Sequence, residues 1–180
     1  IVPTYEIGEA EGQHFLVMPL IHGSNLAELS RKAPLDPRNA AVLLARIADA
    51  IQHAHERGIL HRDLKPGNVI IDQNGEPHVP DFGVARSFEA ESSLTRSAQI
   101  LGTPAYMAPE QAEGKPSSLS DIYALGVIAY ELATGQRPFK LESPFQLLEL
   151  QRAGDKVKPR DLRSNLPEAA EKAILKALSF

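Results

Sequence analysis

The sequence contains no cysteine, which excludes disulfides and thiolate metal sites within the chain and is typical of an intracellular protein. It also has no long hydrophobic run: the longest apolar stretches, residues 15–21 and 124–133, are too short to cross a bilayer. Excess positive charge, the usual mark of nucleic-acid binders, is missing too: 19 Lys and Arg face 23 Asp and Glu, a net charge of −4. We therefore expect a cytoplasmic protein, or the cytoplasmic part of a membrane-anchored one, with no nucleic-acid partner and no membrane segment in this chain.

The residues that are present indicate one globular domain. The chain has 180 residues, of which 43% are hydrophobic and 23% are charged, as in ordinary globular domains. Two predicted strands, residues 2–7 and 14–21, are separated by a turn from Gly8 to Gly12. The spacing of apolar residues then predicts mostly helices, over residues 25–32, 36–58, 108–113, 120–134, 144–153 and 168–178.

Turn and capping residues mark where these elements begin and end. Asp36 is the expected N-cap of the longest helix. Ser118 or Ser120 is the expected cap of the apolar helix that precedes Gly135. In the middle of the chain, Asn74-Gly75 predicts a hairpin turn between short strands at residues 69–71 and 78–79.

Polar side chains lie at both outer ends of this hairpin. Asp63 and Asn68 precede the first strand, and Asp81 follows the second, so all three side chains can converge at one edge. Carboxylate and amide oxygens are the ligands that Mg²⁺ prefers. Lys65 adds a positive charge for a phosphate, and a remaining carboxylate could accept a proton from a hydroxyl. The pattern predicts phosphoryl transfer, although any one of these residues alone could be an ordinary turn former.

Three ordered motifs favour the catalytic interpretation. Residues 61–68, His-Arg-Asp-Leu-Lys-Pro-Gly-Asn, resemble the catalytic loop of protein kinases. Asp81-Phe82-Gly83 resembles their metal-binding motif, and Ala108-Pro109-Glu110 resembles the end of their activation segment. The chain is similar to eukaryotic-type Ser/Thr protein kinases, in particular those of bacteria. An unrelated metal-dependent hydrolase would not explain the order of these motifs.

The resemblance implies an α+β, protein-kinase-like fold. Residues 1–21 would be the last strands of the small lobe and the hinge, and residues 22–180 the helical large lobe, truncated at its C-terminal end. The 180 residues contain no glycine-rich phosphate loop and no ATP-positioning strand lysine. We therefore expect a partial kinase domain that is inactive by itself. The alternative is a truncated pseudokinase that acts as an interaction scaffold.

The resemblance also assigns catalytic roles. Asp63 would be the catalytic base, and Lys65 would contact the γ-phosphate of ATP. Asn68 and Asp81 would hold Mg²⁺, with Mn²⁺ as a possible substitute. Thr103 would bond to the catalytic Asp and Lys. The substrate would be a Ser or Thr hydroxyl of a protein.

The adenine pocket is implied in the same way. Met18 would be the gatekeeper, while the Pro19 carbonyl and the Ile21 backbone would bond adenine. Pro19 replaces the usual acidic residue but keeps the carbonyl. Ile70 would form the floor of the pocket. Asn25 occupies a position where the family often has an acid that contacts the ribose.

The segment between residues 84 and 102 is predicted to be a loop, and the resemblance implies regulatory roles for residues in it. Thr95 and Ser97 resemble self-phosphorylation sites of bacterial relatives, and Arg62 could pair with such a phosphate. This implies self-phosphorylation in trans. The alternative is that these hydroxyls are merely solvated loop residues.

The remaining motif residues would be structural. His61 would pack under Phe82, and Gly83 would complete that motif. Glu110 would pair with a late arginine for which the chain has no position before Phe180. Asp121 would anchor the backbone of the turn at residues 61–62, although the helix dipole alone also favours an acid there. Pro80, directly before Asp81, departs from the family pattern and restricts the backbone at this point.

Overall fold

The computed structural model describes residues 1–31, 34–82, 104–139, 144–154 and 156–179. Within these residues the chain has five strands and seven helices, an α+β architecture that confirms the predicted fold class. None of these helices combines the length and the apolar character that crossing a membrane requires. The elements in chain order are β1 (Glu6–Ala10), β2 (Gln13–Val17), β3 (Gly23–Asn25), α1 (Leu26–Ser30), α2 (Pro37–His55), β4 (Ile70–Asp72), β5 (Pro77–His78), α3 (Pro109–Ala112), α4 (Ser118–Thr134), α5 (Pro144–Ala153), α6 (Pro159–Leu162) and α7 (Glu168–Ala177).

The first hairpin differs from the prediction in register. The strand predicted at residues 2–7 is wrong, because β1 runs over Glu6–Ala10 and pairs antiparallel with β2. Gly8 is a strand residue that pairs with Phe15, and a Cβ there would lie 2.4 Å from the Phe15 ring. This glycine therefore makes room for an aromatic ring and forms no turn. The turn is made by Glu11 and Gly12, which both have positive φ as a tight two-residue hairpin requires.

The second sheet contains the predicted central hairpin. Its strands are in the order β3-β4-β5, all antiparallel, and β4 and β5 lie within one residue of their predicted bounds. Gly75 has a φ of 81°, and the Asp72 side chain accepts hydrogen bonds from the amides of Asn74 and Glu76 at 2.8 and 2.9 Å. The Asn-Gly turn is therefore confirmed.

Helix α2 begins where the sequence predicts. The Asp36 side chain caps it by accepting hydrogen bonds from the amides of Arg38 and Asn39 at 3.1 and 3.3 Å. The helix ends at His55, and Gly58 follows in the left-handed conformation. The N-cap prediction is thus confirmed, and the helix ends slightly before the predicted glycine.

The predicted cap of the apolar helix is wrong by one or more residues. Helix α4 is capped by Ser117, whose Oγ accepts a hydrogen bond from the Leu119 amide. Ser120 Oγ accepts one from the Ser117 amide, which completes a capping box. Because serines recur along this segment, the sequence alone left the choice among them open. The predicted stop at Gly135 is confirmed, with φ of 73°.

Helix α4 lies at the centre of the described core. One set of its side chains (Ala124, Ile128 and Leu132) packs with residues of α1, α2 and the catalytic-loop region. Another set (Tyr123, Val127, Tyr130 and Ala133) packs with residues of α5 and α7 and the chain near them. A helix that is apolar on all sides is expected to be buried on all sides. This helix therefore joins two hydrophobic clusters and supports the residues that contact its N-terminal turn.

The α4–α7 contact predicts a sensitive position. A Cβ at Gly126 would lie 2.8 Å from Ala177 Cβ and 3.3 Å from the Ala177 backbone carbon. Gly→Ala usually stabilises a helix. We expect Gly126→Ala to lower the free energy of unfolding instead, by about 1–3 kcal/mol, because α7 would have to shift.

Denaturant unfolding of Gly126→Ala, Ala177→Gly and the double variant measures this coupling. The double variant should recover part of the loss, since Ala177→Gly removes the nearest methyl group. Strictly additive effects of the two substitutions would contradict the close contact.

Candidate active site

The centre of the site is the turn formed by His61, Arg62 and Asp63, called the His61–Asp63 turn below. Arg62 has a φ of 69°, a left-handed conformation that costs a non-glycine residue about 1–3 kcal/mol. The His61 amide donates to Asp121 Oδ2 at 2.9 Å, and the Arg62 amide donates to Asp121 Oδ1 at 2.8 Å. A single carboxylate at the start of α4 thus holds both amides, at the place where the resemblance puts an anchor.

The Asp121 carboxylate has a further partner that motif reasoning missed. The residue is 1% exposed, and its Oδ2 also contacts His55 Nε2 at 2.8 Å. His55 follows Ile47 and Ile51 at four-residue intervals on the buried face of α2. A polar side chain on a buried helix face needs a hydrogen-bond partner there. The four-residue spacing from Ile47 to His55 was therefore the sequence signal for this contact.

Three of the predicted catalytic side chains contact one another directly. Lys65 Nζ donates to Asp63 Oδ2 at 2.7 Å. Asn68 Nδ2 donates to the same oxygen at 2.9 Å and to the Asp63 backbone carbonyl at 2.9 Å. The Asp63 carboxylate is about half exposed, so a substrate can reach it. The arrangement holds the Asp63 carboxylate in one orientation with the Lys65 ammonium beside it.

Asp81 lies at the same end of the hairpin as this cluster. Ile70 pairs with His78, so Asn68, before β4, and Asp81, after β5, both belong to the open end of the hairpin. The next residue, Phe82, places its ring centroid 4.9 Å from that of His61. Asp81 itself is exposed and has a φ of 62°. The backbone therefore brings Asp81 to the His61–Asp63 turn.

The donor set at this edge suits Mg²⁺. Because the Asn68 amide nitrogen faces Asp63, its oxygen is the atom available to a cation. Together with the Asp81 carboxylate it would supply two protein ligands. Mg²⁺ commonly takes one or two protein carboxylates and completes its shell with water and substrate phosphates. No cluster of three or more His, Cys, Asp or Glu that could hold a metal occurs among the described residues.

The predicted adenine-contacting residues lie along one connection. Met18, Pro19 and Ile21 are half-buried in the segment between β2 and β3. Ile70 pairs with Asn25 across β3 and β4, which places it beside this segment. The Asn25 side chain is already occupied: Oδ1 caps α1 by accepting the Glu28 amide at 2.9 Å, and Nδ2 donates to the Glu28 carboxylate. A ribose contact would compete with that cap.

The other predicted residues divide into two groups. Gly83, Thr95, Ser97 and Thr103 lie outside the described residues. Glu110 is described, and its Oε1 accepts a hydrogen bond from Ser120 Oγ at 2.6 Å. The activation-segment end is thereby tied to the cap of α4.

Burial controls the charge of His61. His61 is 1% exposed, so its ring is shielded from water. Burial lowers its pKa below the ordinary value, although the Asp121 and Asp63 carboxylates act in the opposite direction. His61 is therefore a neutral ring that packs on Phe82.

This burial predicts a pH dependence of stability. Since the folded pKa of His61 lies below the unfolded value of 6.5, the unfolded chain takes up a proton first as the pH falls. The contribution is fully favourable above pH 6.5 and is lost below it. In His61→Phe the free energy of unfolding should therefore decrease less steeply as the pH is lowered from about 7 to about 5.

Chemical denaturation at a series of pH values measures the slope. The exposed His53→Gln variant on α2 is the control and should keep the parent slope. A His61→Phe slope equal to that of the parent would contradict the buried, neutral state.

Comparisons with known proteins agree with this geometry. The family model described as the protein kinase domain matches residues 1–176. Three curated relatives are similar: a probable serine/threonine-protein kinase of Corynebacterium efficiens (41% identity, 81% of this chain and 23% of the relative), the serine/threonine-protein kinase PrkC of Bacillus subtilis (36%, 98% and 28%) and the serine/threonine-protein kinase PkaA of Streptomyces coelicolor (42%, 89% and 30%). The chain thus spans less than a third of each of these relatives. The match over nearly the whole chain confirms the predicted resemblance, and the chain belongs to the protein kinase domain family.

Proposed function

We propose that these residues serve ATP-dependent phosphoryl transfer to Ser or Thr hydroxyls of proteins. The observation that carries the proposal is the Asp63 carboxylate, which Lys65 and Asn68 hold in place while it stays exposed to a substrate. The relatives' names as serine/threonine-protein kinases support the choice of hydroxyl. We also propose that the domain lies in the cytoplasm, either as a cytoplasmic protein or as the cytoplasmic part of a membrane-anchored one.

In the proposed reaction, Asp63 orients the substrate hydroxyl and accepts its proton. Lys65, 2.7 Å from that carboxylate, supplies positive charge where the transferred phosphoryl group gains negative charge. Asn68 and Asp81 would hold Mg²⁺ or Mn²⁺, which neutralises phosphate charge when bound. Thr103 would complete the contacts of Asp63 and Lys65. The work of the protein is mainly to position groups and to stabilise charge.

Nucleotide binding and regulation complete the proposal. Met18, Pro19, Ile21 and Ile70 would surround adenine, with the Pro19 carbonyl and the Ile21 backbone as its hydrogen-bond partners. For Asn25, the cap of α1 favours a structural role over a ribose contact.

Arg62 would receive a phosphate added to Thr95 or Ser97 by another copy of the kinase. Its Nε is buried without a hydrogen-bond partner among the described residues. A phosphate oxygen could accept that unmade hydrogen bond from the guanidinium.

Two substitutions test the catalytic roles in the full-length gene product. Asp63→Asn should lower turnover of a Ser/Thr peptide by at least about a hundredfold, because the proton acceptor is lost. It should still bind Mg²⁺-ATP. Asp81→Asn should weaken metal-dependent nucleotide binding. Radiolabelled phosphate transfer and calorimetric titration measure the two effects.

Asp49→Asn is the matched control, since Asp49 is an exposed carboxylate on α2. It should retain parental turnover and binding. If Asp63→Asn transfers phosphate as fast as the parent, Asp63 is not the base. If the parent itself transfers no phosphate with either metal, the scaffold interpretation is favoured.

The 180-residue chain alone should show negligible turnover. It contains no glycine-rich loop to cover the phosphates and no strand lysine to position them. Robust self-phosphorylation by this chain, lost in Asp81→Ala, would refute this expectation.

A further inference from the structure

The carbonyl of Arg62 has a partner that no motif assigns. Gln111, on α3, donates from Nε2 to Arg62 O. The two residues are 49 positions apart in the sequence, so the contact joins the end of the activation segment to the catalytic loop. With the amides of His61 and Arg62 already held by Asp121, every polar group of the strained Arg62 backbone is held by a side chain.

The position of Gln111 is fixed by the elements around it. Ala108 and Pro109, at the start of α3, are buried, and the Gln111 amide donates to the Ala108 carbonyl at 3.1 Å. Gln111 also borders a small cavity of about 30 Å³ between the His61–Asp63 turn, Met107 and α4. The side-chain amide therefore approaches the turn from a rigid base.

We propose that Gln111 is a positioning residue that fixes the peptide bond between Arg62 and Asp63, and through it the direction of the Asp63 carboxylate. This inference rests on the proposed phosphoryl transfer. The Arg62 carbonyl and the Asp63 amide share one peptide plane. A hydrogen bond to the carbonyl therefore also fixes the orientation of the Asp63 amide. Asn68 holds the Asp63 carbonyl at the other end.

The strain of Arg62 explains why such a donor matters. A left-handed arginine can relax by rotating its peptide planes, and it persists only where its surroundings over-determine it. Asp121 holds the amide side of Arg62, and Gln111 holds the carbonyl side. Without Gln111 the Arg62–Asp63 peptide plane would lose one hydrogen bond, while the His61–Arg62 peptide plane would still be held by Asp121.

Two substitutions remove the donor and keep the size of the side chain. Gln111→Glu would place a carboxylate oxygen against the Arg62 carbonyl, and Gln111→Met would leave no polar group. We expect kcat of the full-length gene product to fall about tenfold with Met, the size of one lost hydrogen bond to a positioned group, and further with Glu. KM values for Mg²⁺-ATP and peptide should stay within about twofold, since no substrate contact is removed.

Turnover is expressed per nucleotide-binding site, counted by titration with a non-hydrolysable ATP analogue, so that misfolded protein does not lower it. Gln52→Met is the control: Gln52 is an exposed glutamine on α2 that donates to Glu56 at 3.1 Å. It should keep parental kcat. An active parent whose Gln111→Met variant keeps its kcat would overturn the inference and leave the proposed function standing.

Hydrogen exchange gives a readout that does not need activity. In Gln111→Met the Arg62 amide, which donates to Asp121 in the parent, should exchange faster, while amides in the middle of α4 keep their parental rates. Faster exchange throughout α4 would mean a general loss of stability and would overturn the positioning role. An inactive parent with the expected local change would reject the proposed function but keep the contact.

Discussion

The buried carboxylate of Asp121 is the interaction on which the rest of the structure depends. Burying a carboxylate to 1% exposure is costly unless hydrogen bonds replace its water, and here three groups do so: the amides of His61 and Arg62 and the ring of His55. Because Asp121 belongs to the first turn of α4, these donors are tied to the helix that both hydrophobic clusters share. The geometry of the candidate site is therefore coupled to the helix at the centre of the described core.

That coupling explains how unfavourable backbone conformations persist at the site. Arg62 and Asp81 both have positive φ, and each such residue costs energy that local contacts must offset. The offset for Arg62 comes from Asp121, and the tilted ring contact between His61 and Phe82 lies next to Asp81. Two of the three described non-glycine residues with positive φ thus lie at one end of this hairpin, which is typical of a site in which side-chain direction matters more than local stability.

The resemblance predicted the contiguous motif residues and also the distant anchor of the turn by Asp121, but it missed the contacts of His55 and Gln111. The run from His61 to Asn68 contains three interacting side chains within six positions, so spacing alone could place them together. His55 and Gln111 contribute equally direct contacts, but their partners are 66 and 49 residues away. A repeating sequence pattern cannot predict contacts between residues so far apart. Only the apolar face of α2, which ends at His55, indicated that His55 has a buried partner.

Errors in the secondary structure have the same origin. Gly8 looked like a turn residue because glycine permits many conformations, whereas its actual role depends on the Phe15 ring across the hairpin. The serines before α4 are equivalent as caps by residue type, and the reciprocal bond between Ser117 and Ser120 decides among them. In both cases a residue type allowed several structures, and a contact formed elsewhere in the fold selected one.

The two halves of the proposed site differ in how firmly the described structure holds them. The residues proposed for phosphoryl transfer are bonded to one another and, through the His61–Asp63 turn, to the buried α4. The segment proposed to contact adenine follows a two-stranded hairpin whose Ile7, Phe15 and Val17 are exposed. The free energy of local opening rises with buried apolar contact, so the His61–Asp63 turn, which Asp121 ties to α4, should open only at high cost.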